Sequence, residues 1–291
     1  MNYLNMEFWQ SHFLFFIFTI GVISLMIGSF LNVVIYRLPL MLYQAQHDLT
    51  NTLDSKIKIT IPSTFNLALP ASHCPKCQHQ LRWWENIPLL SYFLLKGHCA
   101  YCKQSISIHY PLVEFFSLLL SIYLAWHYGI HIQLIAALIF AWFLLSLALI
   151  DINEKILPDI MTLSLLWLGL LFNLNGLFTD LTSAVIGAVS GYLFLWLIAF
   201  AYYSITGKEG LGLGDCKLLA ALGAWLGWQI LPFVVLIASL SGCLFGIIFI
   251  CLRKLNRQSL IPFGPFLAIA GLCGLIWGQN ILNHFIFISS L

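Results

Sequence analysis

Apolar and polar positions fall along this chain in long blocks rather than alternating residue by residue. Eight predominantly apolar runs occur, at about 13–36, 110–128, 132–150, 160–175, 183–205, 216–230, 232–252 and 263–287. A helix of about 20 apolar residues crosses a hydrocarbon core of about 30 Å, and such a segment in lipid must satisfy its own backbone hydrogen bonds. The pattern therefore predicts an all-α polytopic membrane protein with about eight transmembrane helices. The one sizeable polar interval lies between the first two runs. It gives three parts: a first transmembrane helix within 1–36, a cytosolic domain over 37–109, and a helical membrane domain over 110–291. Within the polar interval, Lys56-Ile57-Lys58-Ile59-Thr60-Ile61 alternates like a short strand. The first run has no Lys or Arg before it and no small-residue cleavage site after it, so it reads as a retained anchor.

Composition strengthens this reading. Hydrophobic residues make up 60% of 291 positions and charged residues 8%, against about a quarter charged in soluble domains. A single water-soluble domain is excluded. The basic residues supply an independent check, because cytoplasmic loops collect Lys and Arg. Arg37, Lys56, Lys58, Lys76, Arg82, Lys96 and Lys103 lie between runs one and two, and Lys155 lies between three and four. Lys208 and Lys217 stand at the junction of five and six, and Arg253, Lys254 and Arg257 between seven and eight. With eight spans every one falls on the same side, placing both termini in the periplasm; seven or nine would break the pattern. The net charge of +2 is thus a matter of orientation and of attraction to anionic membrane lipid. It gives no reason to expect nucleic acid.

The polar interval carries Cys74-Pro75-Lys76-Cys77 and Cys99-Ala100-Tyr101-Cys102, two C-x2-C knuckles separated by 21 residues. Four thiolates in this spacing suit a closed tetrahedral zinc site. Disulfides are the competing reading, but persistent ones are rare in the reducing cytosol. His73, His79 and His98 lie nearby and read as solvated loop residues, since four sulfurs already fill the site. Cys216, Cys243, Cys251 and Cys273 read as small apolar packers.

Only 11 acids occur in the chain. Asp151 ends the third run, where a carboxylate opposes the negative end of the helix dipole, so capping of its own helix does not explain it. Asp159, after Pro158, and Asp180 both sit where an N-cap belongs. Asp215 follows Gly210-Leu211-Gly212-Leu213-Gly214, whose glycines offer backbone freedom and close helix approach. A phosphate-cradling loop would need a preceding strand, and none is expected here. Two acids brought together would share a proton, because like charges about 3 Å apart cannot both ionise. One then activates water while its protonated partner polarises a carbonyl.

Asp151 with Leu157-Pro158-Asp159, and Gly212-Leu213-Gly214-Asp215, together resemble the type IV prepilin leader peptidases, polytopic aspartic proteases with a G-x-G-D motif. The resemblance extends through Gly28-Ser29-Phe30-Leu31-Asn32, Arg37-Leu38-Pro39, the cysteine knuckles around Glu85-Asn86-Ile87-Pro88, Tyr110-Pro111-Leu112-Val113-Glu114 and Pro262-Phe263-Gly264-Pro265. It implies that Asp151 and Asp215 are catalytic, with Asp159, Gly212 and Gly214 supporting them. It also implies cleavage of the short basic leader from type IV pilus and type II secretion pseudopilin precursors at the cytosolic face of the bacterial inner membrane. N-methylation of the new N-terminal residue from S-adenosylmethionine would follow, with Glu114 and the 74–102 region as candidates for that step. Asn153 and His109 stand where many relatives carry Asp and Arg.

Two readings from other classes compete. A membrane thiol oxidoreductase would use the cysteine pairs for electron transfer, usually on the outer face. An acid-dependent transporter would hold its carboxylates near the bilayer midplane, whereas these lie at the edge.

Overall fold

A computed structural model describes residues 12–50, 65–74, 76–208, 210–252 and 261–289. The strand-like segment 56–61 and the basic cluster at 253–257 lie outside them. The described residues form α1 (Phe13–Thr50), a 3-10 turn (Trp83–Asn86), α2 (Leu90–Leu94), α3 (His109–Tyr128), α4 (Ile132–Glu154), α5 (Asp159–Asn173), α6 (Leu181–Thr206), α7 (Leu213–Leu226), α8 (Leu231–Cys251) and α9 (Gly264–Ser289). Eight helices thus fall on the eight apolar runs. Five of them, α1, α3, α4, α6 and α8, are long and apolar enough to cross a membrane. The chain divides within α4 into two compact units, Met1–Leu138 and Ile139–Leu291.

In the first unit α1 packs against α3 through a stripe of small and polar residues at helical spacing. A Cβ on Gly28 would stand 3.0 Å from the Glu114 backbone. The Ser117 hydroxyl donates to Ser24 O at 3.1 Å, and Asn32 Nδ2 to Tyr110 O at 3.1 Å. Such stripes let membrane helices approach where lipid offers no hydrophobic drive. α1 does not stop near Tyr36 as expected but continues to Thr50, with Pro39 inside it. Its 38 residues span about 57 Å, so its last turns extend well past a 30 Å core. The buried Arg37 guanidinium fastens the following loop to this extension. It donates to Asn66 O at 3.0 Å and to Pro70 O at 2.7 Å.

α7 is the centre of the second unit. Eleven of its 14 residues are buried, a length of about 21 Å that is short for a span. Gly187 of α6 and Gly223 of α7 meet backbone to backbone, and a Cβ on Gly191 would reach Leu219 O at 2.7 Å. Trp225 fills the far end among Phe140, Phe172 and Phe178, and its indole N–H donates to Leu165 O at 2.7 Å. Asn173 donates to the carbonyls of Ala224 and Trp225, capping the carbonyl end of α7 from α5. α7 is thereby held along its middle and at its carbonyl end.

Candidate active site

Asp151 lies in the last turn of α4, 6% exposed. Its Oδ2 accepts the Gly264 backbone N–H at 2.9 Å, and Gly264 is the first residue of α9. The carboxylate that sits against the dipole of its own helix is therefore held at the favourable end of another. A Cβ on Gly264 would stand 2.7 Å from that same oxygen, so the contact requires glycine. Sequence reading singled out Pro262-Phe263-Gly264-Pro265 without giving it a role.

Asp215 is the third residue of α7 and 8% exposed. Gly212 is the N-cap, with φ −75° and ψ 142°, and its carbonyl accepts the Asp215 N–H at 3.1 Å. Asp215 thus lies inside the first turn and does not cap it. Its Oδ1 is buried without a hydrogen-bond partner among the described residues, and Leu157 packs both on Gly214 beside it and on Gly264 beside Asp151. The glycines contribute space, not backbone freedom, since neither Gly212 nor Gly214 has a positive φ. A Cβ on Gly214 would lie 2.8 Å from Leu157 Cβ, and one on Gly212 would touch Asp215 Oδ2 at 3.4 Å.

Asp159 corrects the N-cap expectation. Pro158 takes the cap position and makes no side-chain bond, while Asp159 binds Lys217 Nζ through both oxygens at 2.6 Å. The pair ties the first turn of α5 to the first turn of α7, two residues beyond Asp215. Asp180 does cap α6, accepting the Ser183 N–H at 2.8 Å.

The four knuckle cysteines converge. Their sulfurs all lie within 4.8 Å of one another, with Cys74 and Cys102 at 3.7 Å. Zinc–sulfur arms of about 2.3 Å give a tetrahedral edge of about 3.8 Å, so the donor set fits such an ion. The two knuckles share one fold. Gln78 N–H reaches back to Cys74 O, Lys103 N–H to Cys99 O, and both Gln78 and Lys103 have φ of 57°. The backbone N–H groups of Cys77 and Lys76 hold the Cys74 thiol down to about 6, favouring the thiolate a metal needs. The histidines are engaged elsewhere: His79 lies on the Tyr101 ring, and His73 and His98 contact the carbonyls of Ala71 and Lys96.

Glu114 is buried near the start of α3, and its Oε2 accepts the Leu89 N–H at 2.7 Å. In this geometry the carboxylate joins α3 to the cysteine module.

Comparison with known proteins covers nearly the whole chain. Residues 22–128 match the bacterial peptidase A24 N-terminal domain and residues 138–247 the type IV leader peptidase family. Relatives named prepilin leader peptidase/N-methyltransferase include one from Pseudomonas aeruginosa, 47% identical over 97% of both chains. Another, from Aeromonas hydrophila, is 50% identical over 90% of this chain and 91% of its own. A third, from Legionella pneumophila, is 44% identical over 94% and 95%. No solved structure matches significantly. With identity of this order sustained across both halves, the chain belongs to the type IV leader peptidase family.

Proposed function

We propose that this protein cleaves the short basic leader from type IV prepilins and type II secretion pseudopilins by a two-aspartate mechanism, and then N-methylates the new N-terminal residue with S-adenosylmethionine. One observation carries the mechanism. Asp151 and Asp215, 64 positions apart in sequence, are both buried and flank one side chain, Leu157, which packs on Gly264 beside Asp151 and on Gly214 beside Asp215.

In this mechanism the pair holds one proton between two carboxyl groups. The ionised member takes a proton from the attacking water, and the protonated member donates a hydrogen bond to the scissile carbonyl. As the tetrahedral intermediate collapses, the leaving amine receives the proton drawn from water. Gly264 N–H fixes the orientation of Asp151, and the unpaired Oδ1 of Asp215 is the oxygen left available for water or the scissile group. Leu157, seated on Gly214, and the Asp159–Lys217 pair hold the two helix ends in register. S-adenosylmethionine supplies the methyl group to the amine that cleavage exposes, with Glu114 the candidate residue in the first unit.

Cys74, Cys77, Cys99 and Cys102 are proposed to hold a structural zinc, which organises a segment lacking a core of its own. The eight helices are read as eight spans in the bacterial inner membrane, with both termini periplasmic. Supporting this count is the segregation of Lys and Arg, which seven or nine spans would scramble. The parts are 1–36, 37–109 and 110–291, and α7 crosses sheathed by its neighbours.

The test is mass spectrometry of a purified pilin precursor incubated with the detergent-solubilised protein, with and without S-adenosylmethionine. Loss of the leader, with a further gain of about 14 Da only when the methyl donor is present, is the expected result. An intact precursor after incubation with folded, metal-loaded protein would overturn the proposal.

A further inference from the structure

The geometry points to a membrane wedge. The turn Leu89–Leu95 of the cysteine module seats in the headgroup–acyl boundary of the leaflet on the module's side, with Phe93 and Leu94 among the lipid chains. This rests on α1 and α3 being membrane spans and not on the catalytic reading.

The first observation is an exposed apolar surface that the cysteine cluster does not use. Phe93 is 71% exposed, Leu94 72% and Leu90 51%, with Trp83 at 75% a turn earlier. Five-residue α2 presents its largest apolar groups outward, an arrangement costly in water and expected of a surface that meets a membrane or partner.

Depth is the second observation. Leu89 N–H donates to Glu114 Oε2 at 2.7 Å, and Glu114 is the sixth residue of α3. It stands about 8 Å along the axis from the helix start. α3 has 20 residues, about 30 Å, no more than the hydrocarbon core itself. The bond therefore sets the backbone of Leu89 at the level of the first turns of the span, and α2 begins at the next residue. Leu89 has φ +57°, a conformation rare for a branched side chain, which turns the chain sharply at that depth.

Charge selects the occupant. Between residues 65 and 108 the described bases Lys76, Arg82, Lys96 and Lys103 face a single acid, Glu85. The Arg82 guanidinium lies over the rings of Trp84 and Tyr101, 5.2 and 5.9 Å from their centroids. Of these, Arg82 and Lys96 flank the 3-10 turn and α2 in sequence, a basic rim that suits anionic headgroups above acyl chains. The same rim repels a basic leader, so a lipid surface fits better than the precursor.

The experiment uses the full chain in nanodiscs of phosphatidylethanolamine and phosphatidylglycerol. On the unmodified protein, hydroxyl-radical footprinting should leave Phe93 unlabelled while labelling Tyr101, although in the protein alone Tyr101 is the less exposed, 40% against 71%. Stronger labelling of Phe93 than of Tyr101 would overturn the wedge. Photocrosslinking identifies what covers it. p-Benzoylphenylalanine in place of Phe93 should give the mass of one phospholipid adduct, and the same group in place of Lys103 none. Crosslinks from position 93 to a second copy of the chain, or to added pilin precursor, in place of lipid would overturn the proposal.

Discussion

The backbone N–H of Gly264 donates to Oδ2 of Asp151 at 2.9 Å, joining the start of the last helix to the end of the fourth across 113 positions of sequence. Because the amide belongs to the first turn of α9, the carboxylate gains the partial positive charge of that helix end as well as the bond. A methyl group on Gly264 would press on the same oxygen. Gly264→Ala should therefore displace Asp151 without unfolding the chain, since the backbone at Gly264 is not left-handed. A misplacement of about 1 Å costs on the order of 100-fold in rate. The expected outcome is a fall in kcat of that order at nearly constant KM, with an unchanged melting temperature.

Each member of the proposed catalytic pair is separately testable. Asp151→Asn and Asp215→Asn should each abolish leader cleavage while the protein still inserts, and a synthetic, already cleaved pilin peptide should still be methylated. Retention of substantial cleavage by either variant would remove the dyad. With the wild type, cleavage should follow a bell-shaped pH profile, since both the fully protonated and the fully ionised pair are inactive.

The Asp159–Lys217 pair is largely exposed on its acidic side, 62% against 25% for the lysine. An exposed ion pair contributes about 0–1 kcal/mol, so Lys217→Ala should hardly change the melting temperature. Its effect should fall on kcat, through loosening of the first turn of α7. Exchange of the two charges, Asp159→Lys with Lys217→Asp, should restore much of what either single change loses.

At the cysteine cluster, Cys74→Ser should lower bound zinc below one per chain, measured by elemental analysis, and reduce thermal stability. The Cys74 thiol is held down to about 6, so its thiolate persists above that pH and is lost as pH falls through it. Protons then compete with the metal. Zinc should stay bound at neutral pH and dissociate progressively on acidification. Insensitivity of the zinc content to both changes would count against the four-sulfur site.

Much of this was legible from the sequence, for identifiable reasons. Asp151 and Asp215 stand out because acids are rare in the chain and both occur at the ends of apolar runs. The four cysteines are legible because a knuckle closes over two residues. Gly264 was not, because every residue but proline carries a backbone N–H and nothing in the sequence says which carboxylate it will meet. Asp159 misled because Pro-Asp at a helix start suits a cap as well as an ion pair, and its partner lies 58 positions away. The extension of α1 to Thr50 was hidden as well. Arg37 interrupts an apolar run but does not end the helix, and the loop carbonyls that gather on Arg37 are not visible in one dimension.

The burial of α7 on every side bears on how the molecule is made. A helix of 14 residues whose first turn carries Gly214 and Asp215 offers little to hold it in a bilayer alone. It reaches its place only when α5, α6 and α9 are there to receive it, and α9 follows both α7 and α8 in the chain. Gly264 therefore joins Asp151 only after α9 has been made. Until then the Asp151 carboxylate lacks the amide that orients it.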